Sequence, residues 1–265
     1  MQIASRYQGA TVEVDPARFA LRVVASGVET SLPLAPLYHR CVRHPVDTAA
    51  LIAGFTASVE KQLGGSDPSD MSAARLLWCV RSVAYIEQLS RAGDLESVAI
   101  GTSMVAFIAE SLPGSIMRGV PRQELDAAGL HEGDARRIAG ENTERHFAPL
   151  LGRISKAERV PADGWRAAGD PLFQGSILKV PPILQALRHL AGGDILIGVP
   201  DRGVVFAIAA ALPSAERFGR RILREWREAM NPCSHEVLRY DGDSLIPVPR
   251  KGRRAASMVM PWLQE

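Results

Sequence analysis

The chain has 265 residues, 46% of them apolar, and a formal charge of +2 from 31 basic and 29 acidic residues. That is ample apolar material for one large domain or two small ones, and no apolar run reaches the roughly 18 residues of a membrane helix. Cys41, Cys79 and Cys233 are too few and too scattered for a disulfide framework, and the first residues lack a basic-then-apolar leader. A cytoplasmic protein without a membrane partner is therefore expected.

Thr11–Val14, Phe19–Val24 and Val28–Leu34 read as three short strands separated by Asp15-Pro16 and Ser26-Gly27, a small antiparallel meander. Leu34, Leu37, Tyr38, Cys41 and Val42 share one helical face, and Pro45 ends that helix. Asp47 is placed to cap the next helix, whose stripe is Leu51, Ile52, Phe55, Val59 and Leu63. Residues 1–63 thus form an N-terminal lobe. Residues 64–72, rich in Gly, Ser and Asp, read as a linker or a surface loop. Residues 73–249 form the body.

In the body, Leu76–Val80 is a buried strand and Ser82–Arg91 a helix burying Val83, Ile86 and Leu89. Pro121–Ala128 is a short helix stopped by Gly129, and Glu132–Leu151 a longer one. Residues 155–173 are irregular, with a short strand near Val160 or Trp165. Pro181–Leu190 is a helix. After Pro213 comes another, capped by Ser214, with Ala215, Phe218, Ile222, Trp226 and Ala229 on its apolar side. Beside these run Arg217, Arg220, Arg224 and Arg227, read as a solvated face with Arg221–Glu225 and Arg224–Glu228 pairs. Glu236–Tyr240 and Leu245–Val248 form a closing hairpin.

Two stretches organise this body. Gly193–Pro213 reads as two apolar runs, Ile195–Val199 and Val204–Ala210, around Pro200-Asp201-Arg202-Gly203, a hairpin with Gly203 free to take positive φ. The runs do not alternate, so both faces should be covered. Gly93–Pro113 matches it without gaps at Gly93, Asp94, Val105, Ile108, Ala109, Leu112 and Pro113. The fold expected is α+β, mostly antiparallel sheet with two similar β-hairpin units flanked by helices, plus the N-terminal meander and helical pair.

Familiar chemistry is absent. There is no phosphate loop, dinucleotide fingerprint or nucleophile elbow. His39, Cys41 and His44 lack the spacing and the fourth ligand of a structural metal site. Cys233 and His235 have nucleophile-and-base spacing but no third orienting group in view. No catalytic residue, metal ligand or cofactor is assigned. Candidate binding residues are Asp94 and Asp194 at the strand starts, Arg202 at the hairpin tip, and Arg239 with Asp241 near the closing turn.

Arg250, Lys251, Arg253 and Arg254 begin a basic tail, 250–265, read as flexible. Taking those four from the 31 cations leaves 27 against 29 acids, so the body itself is slightly acidic. Nucleic-acid contact is expected only through that tail.

Several pieces, in order, resemble the YtpQ-like family of uncharacterised bacterial proteins. They are LPLAPLYHR at Leu32–Arg40, RSVAYIEQL at Arg81–Leu89, LPGSI at Leu112–Ile116, GEN at Gly140–Asn142, GDILIGVPDR at Gly193–Arg202 and LRYDGD at Leu238–Asp243. The resemblance spans most of Val12–Val248. Two departures stand out: Gly203 follows Arg202 where the family pattern has an acid, and polar residues surround Thr143 where leucine is expected. The resemblance implies an α+β cytosolic bacterial protein and carries over no activity. The reading is a non-catalytic binding or adaptor protein with a protein partner. The alternative is a hydrolase using acidic residues or Cys233, and the third reading is nucleic-acid contact through the tail.

Overall fold

A computed structural model describes residues 11–16, 19–25, 28–63, 71–87, 94–112, 116–229 and 231–249. The tail at 250–265, most of the 64–72 segment and the end of the 82–91 helix expectation lie outside them.

The protein is α+β, built on three antiparallel sheets. Strands β1 (Thr11–Asp15), β2 (Ala20–Ala25) and β3 (Val28–Pro33) form the N-terminal meander, followed by α1 (Ala35–Arg43) and α2 (Thr48–Leu63). Their helical stripes are less covered than the spacing predicts. Tyr38 and Val42 are more than half exposed and Ile52 is 47% exposed. Asp47 lies in a 3-10 turn, Pro45–Asp47, ahead of α2.

The body opens with β4 (Leu76–Ser82), α3 (Val83–Glu87), β5 (Ser97–Ile100), β6 (Met104–Leu112) and β7 (Ile116–Gly119). Helices α4 (Arg122–Ala127) and α5 (Glu132–Ile154) lead to β8 (Trp165–Ala168), then α6 (Pro181–Ala191), β9 (Ile195–Asp201) and β10 (Val204–Ala209). The chain continues through α7 (Ala215–Glu228), β11 (Val237–Tyr240) and β12 (Leu245–Pro247).

The two hairpins are copies in geometry as well as in sequence. In the first, Ser97 pairs with Phe107 and Val98 with Ala106; in the second, Ile197 pairs with Ala207 and Gly198 with Phe206. Away from the tips each register is the other shifted by one hundred residues; at the tips they part, Ile100 pairing with Met104 but Asp201 with Val204. Each hairpin also follows a strand and a helix, and the sheet orders agree, β4-β6-β5 and β8-β10-β9. The duplicated unit is therefore strand-helix-hairpin.

Alternation explains why β9 and β10 read as continuously apolar. Ile195, Ile197, Val199, Val205 and Ala207 face the main core, which draws on both body sheets. Phe206 and Ile208 face the other way, onto Phe218 and Ile222 of α7. Gly198 lets α7 approach closely. At the second hairpin tip, Gly203 does not take positive φ. A register shift beyond Val204 and a bond from Gly203 N to Asp201 Oδ1 (2.8 Å) shape that turn instead. Gly101, at the first tip, is the left-handed glycine (φ 62°).

The outer edges of the duplicated units differ. In β4 the outward amides of Trp78 and Val80 donate to the hydroxyls of Thr143 and Ser176 (2.9 and 3.3 Å). Asn142 Nδ2 donates to the carbonyls of Ala73 and Leu76, each at 2.9 Å. The polar residues around Thr143 thus seal a sheet edge, a role leucine has no groups to fill. The equivalent strand β8 pairs with β10 alone.

Candidate functional site

The open edge of β8 faces a cleft of about 440 Å³. Trp165, Arg166, Ala167 and Ala168 all line it. Consecutive strand residues point to opposite faces, so a cleft touched by all four runs along the strand edge. The opposite wall is the C-terminal half of α5, through His146, Leu150, Arg153 and Ile154, and α6 supplies Leu187 and Leu190.

A His–Asp pair sits in this wall. His146 Nε2 lies 2.6 Å from Asp170 Oδ2. Asp170 Oδ1 accepts from the amides of Leu172 and Phe173, both at 2.8 Å, and its own amide donates to Gln174 Oε1. Burial alone would raise the Asp170 carboxyl. The bonds from His146 and the two amides outweigh it and hold the group below its usual range. Asp170 is therefore a fixed carboxylate that orients the imidazole through Nε2. The imidazole packs edge-on against Phe147 (4.8 Å) and Phe173 (6.1 Å). Arg153 and Arg159, both exposed, give the cleft a cationic rim, while the Arg166 guanidinium lies 5.9 Å from the centre of the Phe206 ring, on the face turned to α7.

The residues singled out from sequence are distributed differently. Asp194 and Arg239 meet, with Arg239 Nε donating to Asp194 Oδ2 at 2.8 Å and Arg188 3.6 Å from the other oxygen. Asp94 is exposed at the start of the first hairpin unit. Asp241 accepts from the amides of Ser244 and Asp243, which hold its carboxyl below the usual range and build the closing turn. Arg202 lies half-buried beside β4, within reach of the Arg81 charge. Ser214 stands at the N-cap position of α7, but its hydroxyl donates to Ala162 O (2.8 Å) and makes no cap bond to the helix. Arg217, Arg220, Arg224 and Arg227 are exposed, as a solvated stripe requires. The supporting pairs differ, since Arg224 meets Glu225 (3.5 Å) and Arg221 reaches Asp163 O and the Phe206 ring.

Cys233 is 4% exposed. Burial pushes its thiol up to about 12, against the pull of Arg81 and Arg202. Burial likewise raises Cys79. His235 packs against Trp226, with ring centroids 4.9 Å apart and the planes tilted by 57°. Cys79 and Cys233 should resist Ellman's reagent in the native protein and react only on unfolding. Native titration of more than one thiol per chain, the half-buried Cys41, would contradict this burial.

His146 and Asp170 escaped the sequence reading because they are 24 residues apart and joined only by tertiary packing. Comparison with family models, with curated proteins and with solved structures returns no match.

Proposed function

We propose that this is a non-catalytic binding or adaptor protein, and that the β8 edge receives an extended segment of a partner protein. One observation carries this reading: of two equivalent edge strands, β4 is sealed by hydroxyl and amide side chains while β8 opens on a cleft. An open edge presents main-chain donors and acceptors to any strand laid beside it, and side pockets then select the sequence. The pockets here are apolar at Leu150, Ile154 and Leu187 and cationic at Arg153 and Arg159. The fitting partner is a strand that alternates apolar and acidic residues.

The test is selection of a displayed random dodecapeptide library against the full chain. Enriched peptides should be acidic and extended. Methylating alternate backbone nitrogens should abolish their binding, and an Arg153→Glu/Arg159→Glu chain should bind them at least tenfold more weakly. Failure to enrich any peptide, or enriched peptides indifferent to backbone methylation, would refute strand addition.

The hydrolase reading is favoured by the His146–Asp170 pair, an oriented base in the same cleft. It predicts that a selected peptide is cleaved on incubation and that Asp170→Asn stops the cleavage. The adaptor reading predicts an intact peptide mass. Cys233 supports neither, because its buried thiol stays protonated at physiological pH.

A further inference from the structure

The N-terminal lobe has no core of its own. Among the described residues, every fully buried side chain lies between Leu76 and Tyr240. Helix α2 is where this tells most. Residues 48–59, its first twelve, carry no charge. A helix apolar on all sides belongs inside a core or against lipid. Here Ala49, Ile52, Ala53 and Gly54 are exposed, and Leu51 and Phe55 are only half-buried. A β-carbon added at Gly54 would meet nothing within 4 Å. Twelve residues at 1.5 Å each reach about 18 Å, short of the roughly 30 Å of a bilayer core. No described helix is long and apolar enough to cross a membrane. An uncharged run of this length that is not a core helix fits a segment lying in the membrane interface.

The helix before it adds exposed apolar side chains and a set of cations. Phe19 and Tyr38 pack edge to face, ring centroids 5.7 Å apart, and both remain exposed. Val42, one turn further along α1, is 59% exposed. Val46, in the Pro45–Asp47 turn that joins α1 to α2, is 96% exposed. A valine standing almost wholly in water is held out from the fold and lies in no groove. Helix α1 contains no acid, and its last turn carries Arg40 and Arg43, both exposed. His39 and His44 are exposed next to them. Arg43 gives one hydrogen bond to Glu228 O (3.1 Å) and keeps its charge. Asp47, beside Val46, is the acid of the turn and is exposed too. The tip at 42–53 is thus largely apolar, uncovered and flanked by arginines.

We infer that this tip docks on an anionic lipid surface, with Val42, Val46 and the start of α2 entering the headgroup region and Arg40 and Arg43 meeting lipid phosphates. Charge selects the surface, because an acid-free helix ending in two arginines is drawn to anionic headgroups. Shape selects lipid over a folded protein. A rigid partner needs a hole shaped for Val46, whereas lipid closes around any protrusion. A second copy of the chain fits poorly, since a two-fold contact through the tip sets the arginines of one copy against those of the other. Asp47 beside Val46 opposes deep burial and keeps the insertion shallow. No residue of the lobe lines the β8 cleft, so the lipid contact stands independently of the peptide reading.

Flotation of the full chain with vesicles tests the inference, comparing phosphatidylcholine alone with phosphatidylcholine containing about 30% phosphatidylglycerol. The chain should float with the anionic vesicles, and less of it as salt rises. Val42→Glu/Val46→Glu should weaken the binding by at least about tenfold, and Arg40→Gln by about threefold to tenfold. These side chains are exposed, so the melting temperature without vesicles should not change, which separates lost contact from lost fold. Binding that survives Val42→Glu/Val46→Glu would assign the attraction to the basic residues at 250–254 and overturn the inference. No binding to anionic vesicles, or equal binding to neutral ones, would overturn it as well. So would a concentration-dependent dimer that Val46→Glu dissolves, which would give the tip to a second copy.

Discussion

Replacing Arg75 and Arg118 together by methionine should cost about 3–5 kcal/mol of folding stability, read by guanidinium unfolding monitored through the tryptophans. The reason is Glu110, on β6 at the centre of its sheet and 0% exposed. One of its oxygens accepts from Arg75 Nε (2.9 Å) and Ser72 N (3.0 Å), the other from Arg118 Nε (3.0 Å). Removing both arginines leaves a buried carboxylate with one amide for company. Hydrophobic replacements keep much of the packing, so the loss reports on charge. The decisive step is a third substitution. Glu110→Met added to the double variant should recover most of the loss, because an apolar triad avoids the burial of an unpaired charge. A triple variant no more stable than the double would show that the cost was packing.

Gly198→Ala should cost about 1–3 kcal/mol of folding stability. A β-carbon there would sit 2.6 Å from Ile222 Cδ1 and 2.7 Å from Cγ1, well inside contact distance. Ile222 is 0% exposed and wedged between α7 and the sheet, so it has nowhere to retreat. Elsewhere in a strand the same change gains stability, since alanine loses less backbone entropy than glycine. The sign here is therefore set by the clash. Ile222→Ala alone removes core and costs about 2–5 kcal/mol. Combined with Gly198→Ala, the total should fall short of the sum by about 0.5–3 kcal/mol, since the added methyl occupies part of the vacated space. Strict additivity in denaturant titrations would show that α7 does not contact β9 as described.

The hairpins were legible because their evidence is local. Ile195, Ile197 and Val199 alternate with Leu196 and Gly198, and a strand with no polar face must be covered twice. The repeat at Gly93 was legible for the same reason, since a shared register needs only a shared pattern around the turn. Tyr38, Val42 and Ile52 mark the limit of such evidence. Periodicity names a helical face, but how completely a neighbour covers it depends on elements far away in sequence. Asn142 and Thr143 looked like misplaced polar residues because the amides and carbonyls they satisfy belong to the strand segment near Leu76 and Trp78. Arg81 left a trace, a single cation in the otherwise apolar run Leu76–Val80 and its continuation. That trace alone does not distinguish an edge position from a buried one. The cleft left none, because its walls are residues 146–154 and 165–170 with a separate helix behind them.

Helix α5 touches both units at once. Its middle is tied to β4 through Asn142 and Thr143, and its last three turns form the wall facing β8. A rod anchored at one half cannot drift at the other without breaking buried hydrogen bonds. The cleft walls are therefore held in place by the fold itself, and on the strand-addition reading an incoming chain would have to order only itself. Association at such a site loses little entropy on the receptor side, and its rate is set by encounter rather than by waiting for the wall to form.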